Sequence, residues 1–112
     1  MTTIRADRDC CTVIITLTCK APAILGEVQV LAERMMPIFA KQAGFISMAA
    51  HRSTDDTQLV IYLQWQDRAS HDACQKSNDF GDLGPQLLGH LASGQAKLDL
   101  KIHDVIGVVS AD

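Results

Sequence analysis

Trp65 and His71 are the side chains whose chemistry and spacing attract attention first. Trp65 is the single tryptophan of the 112 residues, and His71 follows six positions later. An indole N–H is a fixed hydrogen-bond donor, and an imidazole with a pKa near neutrality can take up and release a proton. Two structural alternatives stay open: Trp65 as a core aromatic with its N–H satisfied by a backbone carbonyl, and His71 as a solvated helix residue beside Asp72.

Metal binding is the other chemistry that these residues suggest. His71 and Cys74 are three positions apart in a probable helix, but two ligands do not make a metal site. His51, His90 and His103 fall in unrelated segments without ligand spacing. We therefore predict no metal.

Composition narrows the class of protein. The net charge is −3, and the ten lysines and arginines are scattered, which argues against nucleic acid and membrane surfaces as partners. The segment Met1 to Asp9 is polar, and no run approaches the roughly 20 apolar residues of a membrane span, so we expect a cytoplasmic protein. The four cysteines lack CxxC spacing and are expected to be free thiols that fill the core: Cys10, Cys11, Cys19 and Cys74.

Periodicity divides the chain into elements that would position Trp65 and His71. The alternation in 11–19 predicts a strand, and the three- and four-residue spacing of apolar residues in 23–43 predicts a helix that Pro37 interrupts and Gly44 ends. The polar turn 53–57 predicts that strands 45–52 and 58–65 form an antiparallel hairpin. Asp67 is predicted to cap a second helix that reaches about Ser77. A breaker-rich patch, a short helical piece and a last strand follow at 78–85, 86–91 and 96–103.

This element order predicts a fold. Strand, helix, strand, strand, helix, strand is the order of an α+β, ferredoxin-like β-α-β-β-α-β domain with an antiparallel sheet and both helices on one face. We assign it to one domain, 1–112, with its core at about 11–109. The third strand has apolar residues on both faces, with Val60 and Tyr62 opposite Trp65. A second subunit should cover the open face, so we predict a homodimer packed sheet against sheet.

Three short motifs carry a family resemblance. Ala43-Gly-Phe45, Ser53-Thr-Asp-Asp-Thr57 and Tyr62-Leu-Gln-Trp65 are similar to those of the antibiotic biosynthesis monooxygenase family of dimeric α+β barrels, with an overlap from about Val13 to Val108. The resemblance implies hydroxylation of a small aromatic polyketide, quinol or anthrone with O2, without metal, flavin or other cofactor. A deprotonated substrate can itself pass an electron to O2, so the protein must bind it, stabilise its anion and exclude water.

The resemblance also suggests roles for individual residues. The family tryptophan falls on Trp65, a donor to a substrate oxygen, and the asparagine that relatives often carry four residues earlier is replaced by Ile61. His71 stands where some relatives have a tyrosine and is our candidate base for a phenolic proton. Thr16 lies near a polar pocket position of the family. We thus predict Trp65 and His71 as catalytic residues and four residues as substrate contacts: Thr16, Phe39, Ile61 and Leu63.

Two other functions fit the same pattern. Loss of the family asparagine at Ile61 favours a non-catalytic dimer that binds a small apolar molecule. A polyketide cyclase or isomerase would use the same donors for enolisation without oxygen.

Overall fold

The computed structural model describes residues 10–109 and 111, so the expectation for Met1 to Asp9 lies outside the described residues. In this described part of the chain, four strands and three helices follow one another in the order β1 (Cys11–Cys19), α1 (Pro22–Phe39), β2 (Phe45–Arg52), β3 (Gln58–Trp65), α2 (Arg68–Gln75), α3 (Leu83–Ala92) and β4 (Ala96–His103). The sheet order is β2-β3-β1-β4 and every neighbouring pair is antiparallel. The α+β, ferredoxin-like fold predicted from the sequence is confirmed.

The two central strands separate the core from the outer face of the sheet. In β1 the odd-numbered residues Val13 and Leu17 are buried in the main core, where they meet Leu59 and Leu63 of β3. Alternation places the even-numbered residues of both strands on the other face. Helix α1 packs its buried residues onto the core side: Leu25, Val28, Leu31, Ala32 and Met35.

Helix α1 is shorter than its apolar pattern predicts. It begins at Pro22, whose fixed φ suits the first helical position, and ends at Phe39 rather than at Ala43. Pro37 supplies no N–H to the carbonyl four residues earlier, and the helix continues for only two residues beyond it. The backbone then forms turns, with the Gln42 N–H donating to the Phe39 carbonyl at 3.0 Å.

The last two helices differ from the sequence prediction mainly at their ends. Helix α2 stops at Gln75, short of Ser77. The short helical piece expected at 86–91 is a ten-residue helix, α3, which starts inside the predicted breaker-rich patch. Its buried Leu83 packs with Leu31 and Met35 of α1. Helix α3 thus lies against α1 and beside β4 on the core side of the sheet.

All four cysteines are buried free thiols. Burial raises the pKa of Cys11, Cys19 and Cys74, because a thiolate is poorly solvated in an apolar environment.

Within residues 10–109 and 111, no helix is long and apolar enough to cross a membrane.

Candidate active site

An apolar cavity of about 180 Å³ lies between the helices and the sheet. Three of the predicted substrate contacts, Phe39, Ile61 and Leu63, form part of its wall. The other wall residues come from β1, α1, β2, α2, α3 and β4: Ile15, Leu17, Val28, Leu31, Ala32, Met35, Met48, Gln75, Leu87, Leu98 and Leu100. Such a lining favours an apolar ligand.

Gln75 is the polar member of this wall, and sequence reasoning missed it. It is the last residue of α2 and lies four positions after His71. Residues at this spacing share one face of a helix, and that spacing was the signal available in the sequence. Gln75 also borders a second hollow of about 260 Å³ beneath α3, together with Phe39 and Phe80. The polar end of the cavity is therefore the end next to α2.

Trp65 is completely buried, with 0% of its surface exposed. Its ring contacts Phe39 and Phe45 edge-on, with centroid distances of 6.3 and 5.8 Å. Its Nε1 atom has no hydrogen-bond partner among the described residues. Trp65 is therefore a core aromatic residue, as one of the two interpretations of the sequence predicted. The backbone carbonyl that this interpretation expected as the acceptor of its N–H is not bonded to it.

His71 is buried as well, with 6% of its surface exposed, and is not the solvated helix residue of the alternative reading. Its ring lies 6.4 Å from that of Trp65, and its Nδ1 atom is buried without a hydrogen-bond partner in the described part of the chain. Burial lowers the pKa of His71; Asp72 opposes this effect and Arg68 adds to it. The imidazole is thus neutral at pH 7 and able to accept a proton.

The start of α2 determines where His71 lies. The Asp67 carboxylate accepts hydrogen bonds from the Ser70 N–H at 2.8 Å and from the Ser70 hydroxyl at 2.7 Å, which confirms the predicted cap. Ser70 packs directly on Gly44. The φ of Gly44 is +81°, which favours glycine, and a Cβ added there would collide with the Ser70 side chain. Gly44 therefore allows α2 to approach the end of β3, next to Trp65.

Neither Trp65 nor His71 is part of the cavity wall. Phe39 lies between the cavity and the pair Trp65 and His71, because its ring belongs to the wall and also contacts Trp65. On its other side Phe39 contacts Phe80, at a centroid distance of 4.8 Å. The structure brings together Phe39, Trp65 and His71 on one side of the cavity, with Ile61 and Leu63 along its floor.

Thr16 is placed elsewhere. It pairs with Val60 of β3 and Asp99 of β4 on the outer face of the sheet, opposite the cavity. The same face contains a buried polar pair that sequence reasoning missed: the Gln64 amide, with 2% of the residue exposed, donates to the Thr12 hydroxyl at 2.9 Å.

Metal ligands do not converge in the part of the chain that the structure describes, which contains no group of three or more His, Cys, Asp or Glu side chains able to hold an ion. Of the groups near the cavity, His71 could exchange a proton with a ligand, Gln75 could exchange a hydrogen bond with it, and the Trp65 N–H could donate one.

Solved structures with the same fold come from several organisms. SnoaB, a cofactor-independent oxygenase from Streptomyces nogalater, is 20% identical with a TM-score of 0.74, and the alignment covers 92% of this chain and 99% of that one. Rv0793 from Mycobacterium tuberculosis is 15% identical with a TM-score of 0.70, covering 89% and 99%.

A dimeric ferredoxin-like protein from an uncultured marine organism is 17% identical with a TM-score of 0.69, covering 89% of this chain and 98% of that one. At these identities the likeness concerns the fold.

No curated protein matches the chain in sequence. The family profile described as antibiotic biosynthesis monooxygenase matches residues 11–84. The chain therefore belongs to the antibiotic biosynthesis monooxygenase family.

Proposed function

We propose that this protein is a cofactor-independent monooxygenase that oxidises a small phenol, quinol or anthrone with O2. The observation that carries the proposal is a pair of buried nitrogen atoms, Nε1 of Trp65 and Nδ1 of His71, which have no hydrogen-bond partner among the described residues. Phe39 lies between Trp65 and the apolar cavity. Buried polar groups are normally hydrogen-bonded, and exceptions often mark a functional site. Membership in the family, and the fold shared with the oxygenase SnoaB, support the same reaction class.

Phe39 controls the approach of the substrate in this proposal. The ring of Phe39 lies against Trp65 and forms part of the cavity wall. A rotation about its side-chain bonds would let the oxygen of a bound substrate reach the Trp65 N–H and His71. The half-buried position of Phe39 and the hollow on its α3 side give the ring room to move.

The chemical steps need no reductant besides the substrate. His71, neutral because burial lowers its pKa, takes the phenolic proton, and the Trp65 N–H donates to the resulting oxyanion. The phenolate passes one electron to O2, and the radical pair forms a C–O bond at a ring carbon. The proton on that carbon passes to the distal peroxide oxygen as the O–O bond breaks, which gives a quinone and hydroxide. His71, which holds the phenolic proton, then protonates the hydroxide to water. One oxygen atom enters the product and the other becomes water.

Oxygen uptake tests the proposal directly. Metal-stripped protein is mixed with a panel of alkylphenols, naphthoquinols and anthrones in an oxygen electrode, and the rate is compared with autoxidation alone. We expect protein-dependent uptake with a quinone as product. His71→Ala should reduce the rate about 100-fold or more, the usual contribution of a general base.

A matched histidine variant serves as the control. His103 is exposed on β4, and its substitution by alanine should leave the rate unchanged. Uptake that does not exceed autoxidation with any compound in the panel would contradict the proposal. Equal rates for the wild type and His71→Ala would remove His71 from the mechanism.

A non-catalytic binding protein is the second candidate, and one observation favours it. Ile61, at the position where relatives often carry asparagine, forms part of the cavity wall, whereas Trp65 and His71 do not. This candidate predicts ligand binding with no oxygen uptake and no effect of His71→Ala on the affinity.

We also propose that the protein is a homodimer packed through the outer faces of its sheets. Ile14, Val60 and Tyr62 form the centre of this face and are only half-buried within one chain. The fold is shared with a ferredoxin-like protein that is dimeric. Tyr62→Glu should produce a monomer in light scattering after size exclusion. Val30→Glu, on the exposed side of α1, should leave the dimer intact. A wild-type protein that is monomeric would contradict the proposal.

A further inference from the structure

We infer that the cavity takes a single-ring phenol with an apolar substituent, with the hydroxyl group next to α2 and the substituent towards β4. The inference rests on the proposed function for the reaction, but it concerns the ligand and can be tested by binding alone. It narrows the substrate class, because it excludes the fused-ring anthrones and naphthoquinols that the proposed function admits.

Cavity size is the first argument. An engineered cavity of about 150 Å³ lined by Leu, Ile and Phe stays dry and binds benzene. The cavity of this protein, at about 180 Å³, has a similar lining and is slightly larger. It therefore accommodates one aromatic ring with a few additional atoms, whereas three fused rings exceed its volume.

The polarity of the wall orients the ring. Gln75 is the polar side chain of the wall, and it lies one helical turn from His71 on the same face of α2. A hydroxyl group directed at α2 meets the Gln75 amide first, and His71 lies on the same side beyond Phe39. Every other wall position is aliphatic, methionine or phenylalanine and suits the hydrocarbon part of the ligand.

The opposite side of the cavity provides room for the substituent. Leu98 and Leu100 of β4 are wall residues that point to the core side, yet they remain 41% and 37% exposed. Leu87, from the helix α3 that contacts β4, is also a wall residue. A short alkyl chain at the ring position opposite the hydroxyl would extend over Leu98 and Leu100 and remove this apolar surface from water.

Titration calorimetry of the full chain tests the inference with 4-propylphenol, propylbenzene and anthrone as probes. We expect 4-propylphenol to bind at least tenfold more tightly than anthrone. Propylbenzene should bind about 2- to 10-fold more weakly than the phenol, the usual worth of one neutral hydrogen bond. Gln75→Leu should abolish that difference. Anthrone binding as tightly as the phenol, or Gln75→Leu leaving the difference intact, would overturn the inference.

Two variants that change the cavity volume complete the test. Ala32→Leu adds atoms to the buried wall and should weaken 4-propylphenol binding tenfold or more, while Ala73→Leu, on the exposed side of α2, should not change it. Leu87→Ala, at a partly buried position, should shift preference towards 2-naphthol and serves as the readout if Ala32→Leu does not fold. An unchanged preference in Leu87→Ala would contradict the inference.

The inference and the proposed function fail in different ways. Tight binding of 4-propylphenol without oxygen uptake would preserve the binding orientation and reject the oxygenase. Oxygen uptake with anthrone, together with no measurable binding of 4-propylphenol, would preserve the oxygenase and reject the single-ring ligand.

Discussion

The rings of Trp65 and His71 lie with their centroids 6.4 Å apart and their planes tilted by 58°. Each ring carries a buried nitrogen atom without a partner among the described residues. Leaving a buried polar group unsatisfied costs about 1–3 kcal/mol. Two such groups side by side therefore destabilise the free protein, and a ligand oxygen bonded to both would remove that cost.

The first prediction concerns the indole N–H of Trp65. Trp65→Phe removes the donor and keeps most of the apolar volume, so turnover should fall about 100-fold, as for the loss of an oxyanion donor. The free energy of unfolding should fall by less than about 3 kcal/mol, the lower bound for Trp→Ala in a core. Steady-state oxygen uptake and urea unfolding followed by circular dichroism measure the two effects. Unchanged turnover would exclude Trp65 from the reaction.

The second prediction concerns the pH dependence of stability. Burial lowers the pKa of His71 in the folded protein, so below about pH 6.5 the unfolded chain binds this proton more readily. Stability should therefore fall as the pH decreases from 7 towards the lowered pKa. His71→Gln should flatten this part of the curve, and His103→Gln, at an exposed site, should not. Identical slopes for His71→Gln and the wild type would contradict the prediction.

The third prediction concerns the glycine under α2. Gly44→Ala should destabilise the protein by about 1–3 kcal/mol, because φ is +81° and the new Cβ would collide with Ser70. Gly26→Ala is a control for which the free energy of unfolding should change in the opposite direction. Gly26 lies inside α1 with no atom near its added Cβ, so alanine should stabilise the helix by up to about 1 kcal/mol. Denaturant unfolding measures both, and equal effects would contradict the prediction.

The fourth prediction concerns the Asp67 cap. Asp67→Ala removes the acceptor for the Ser70 N–H and hydroxyl and should lower the unfolding midpoint by a few degrees. Asp67→Asn retains a side-chain oxygen and should behave nearly like the wild type. Because His71 follows directly in α2, Asp67→Ala should also slow oxygen uptake. An alanine variant with wild-type midpoint and rate would show that the cap does not position His71.

The fifth prediction concerns the thiols. All four cysteines are buried, and burial raises the pKa of Cys11, Cys19 and Cys74. Reaction with a disulfide reagent at pH 8 should be slow in the native protein and should reach four thiols per chain only after denaturation. Rapid reaction of a native thiol would contradict this prediction.

The sequence predicts the strands well, since alternation in β1 and β4 and the turn between β2 and β3 leave few other arrangements. Helix ends are harder to predict. The predicted helix extends to Ala43, but α1 ends at Phe39, two residues after Pro37, and turn hydrogen bonds follow. Periodicity also does not predict that one side chain contacts two parts of the site. Phe39 does so, because it forms part of the cavity wall and contacts Trp65.

The candidate site was predicted in part. Phe39, Ile61 and Leu63 line the cavity, but strand parity places Thr16 on the opposite face. Gln75 was missed because it lies at the exposed end of a helix, where a glutamine is common; its four-residue spacing from His71 was the signal that could have found it. Only the packing of α2 against β3 of the sheet brings it to the cavity.

The position of β1 in the sheet has a consequence for folding. Among the strands of the described residues it comes first, and it pairs with β3 on one side and with β4, the last of them, on the other. Pairing partners that are this distant in sequence make loop closure costly and folding slow. During synthesis β1 keeps an unpaired edge until residues 96–103 have left the ribosome, and over that interval the nascent chain is most exposed to aggregation.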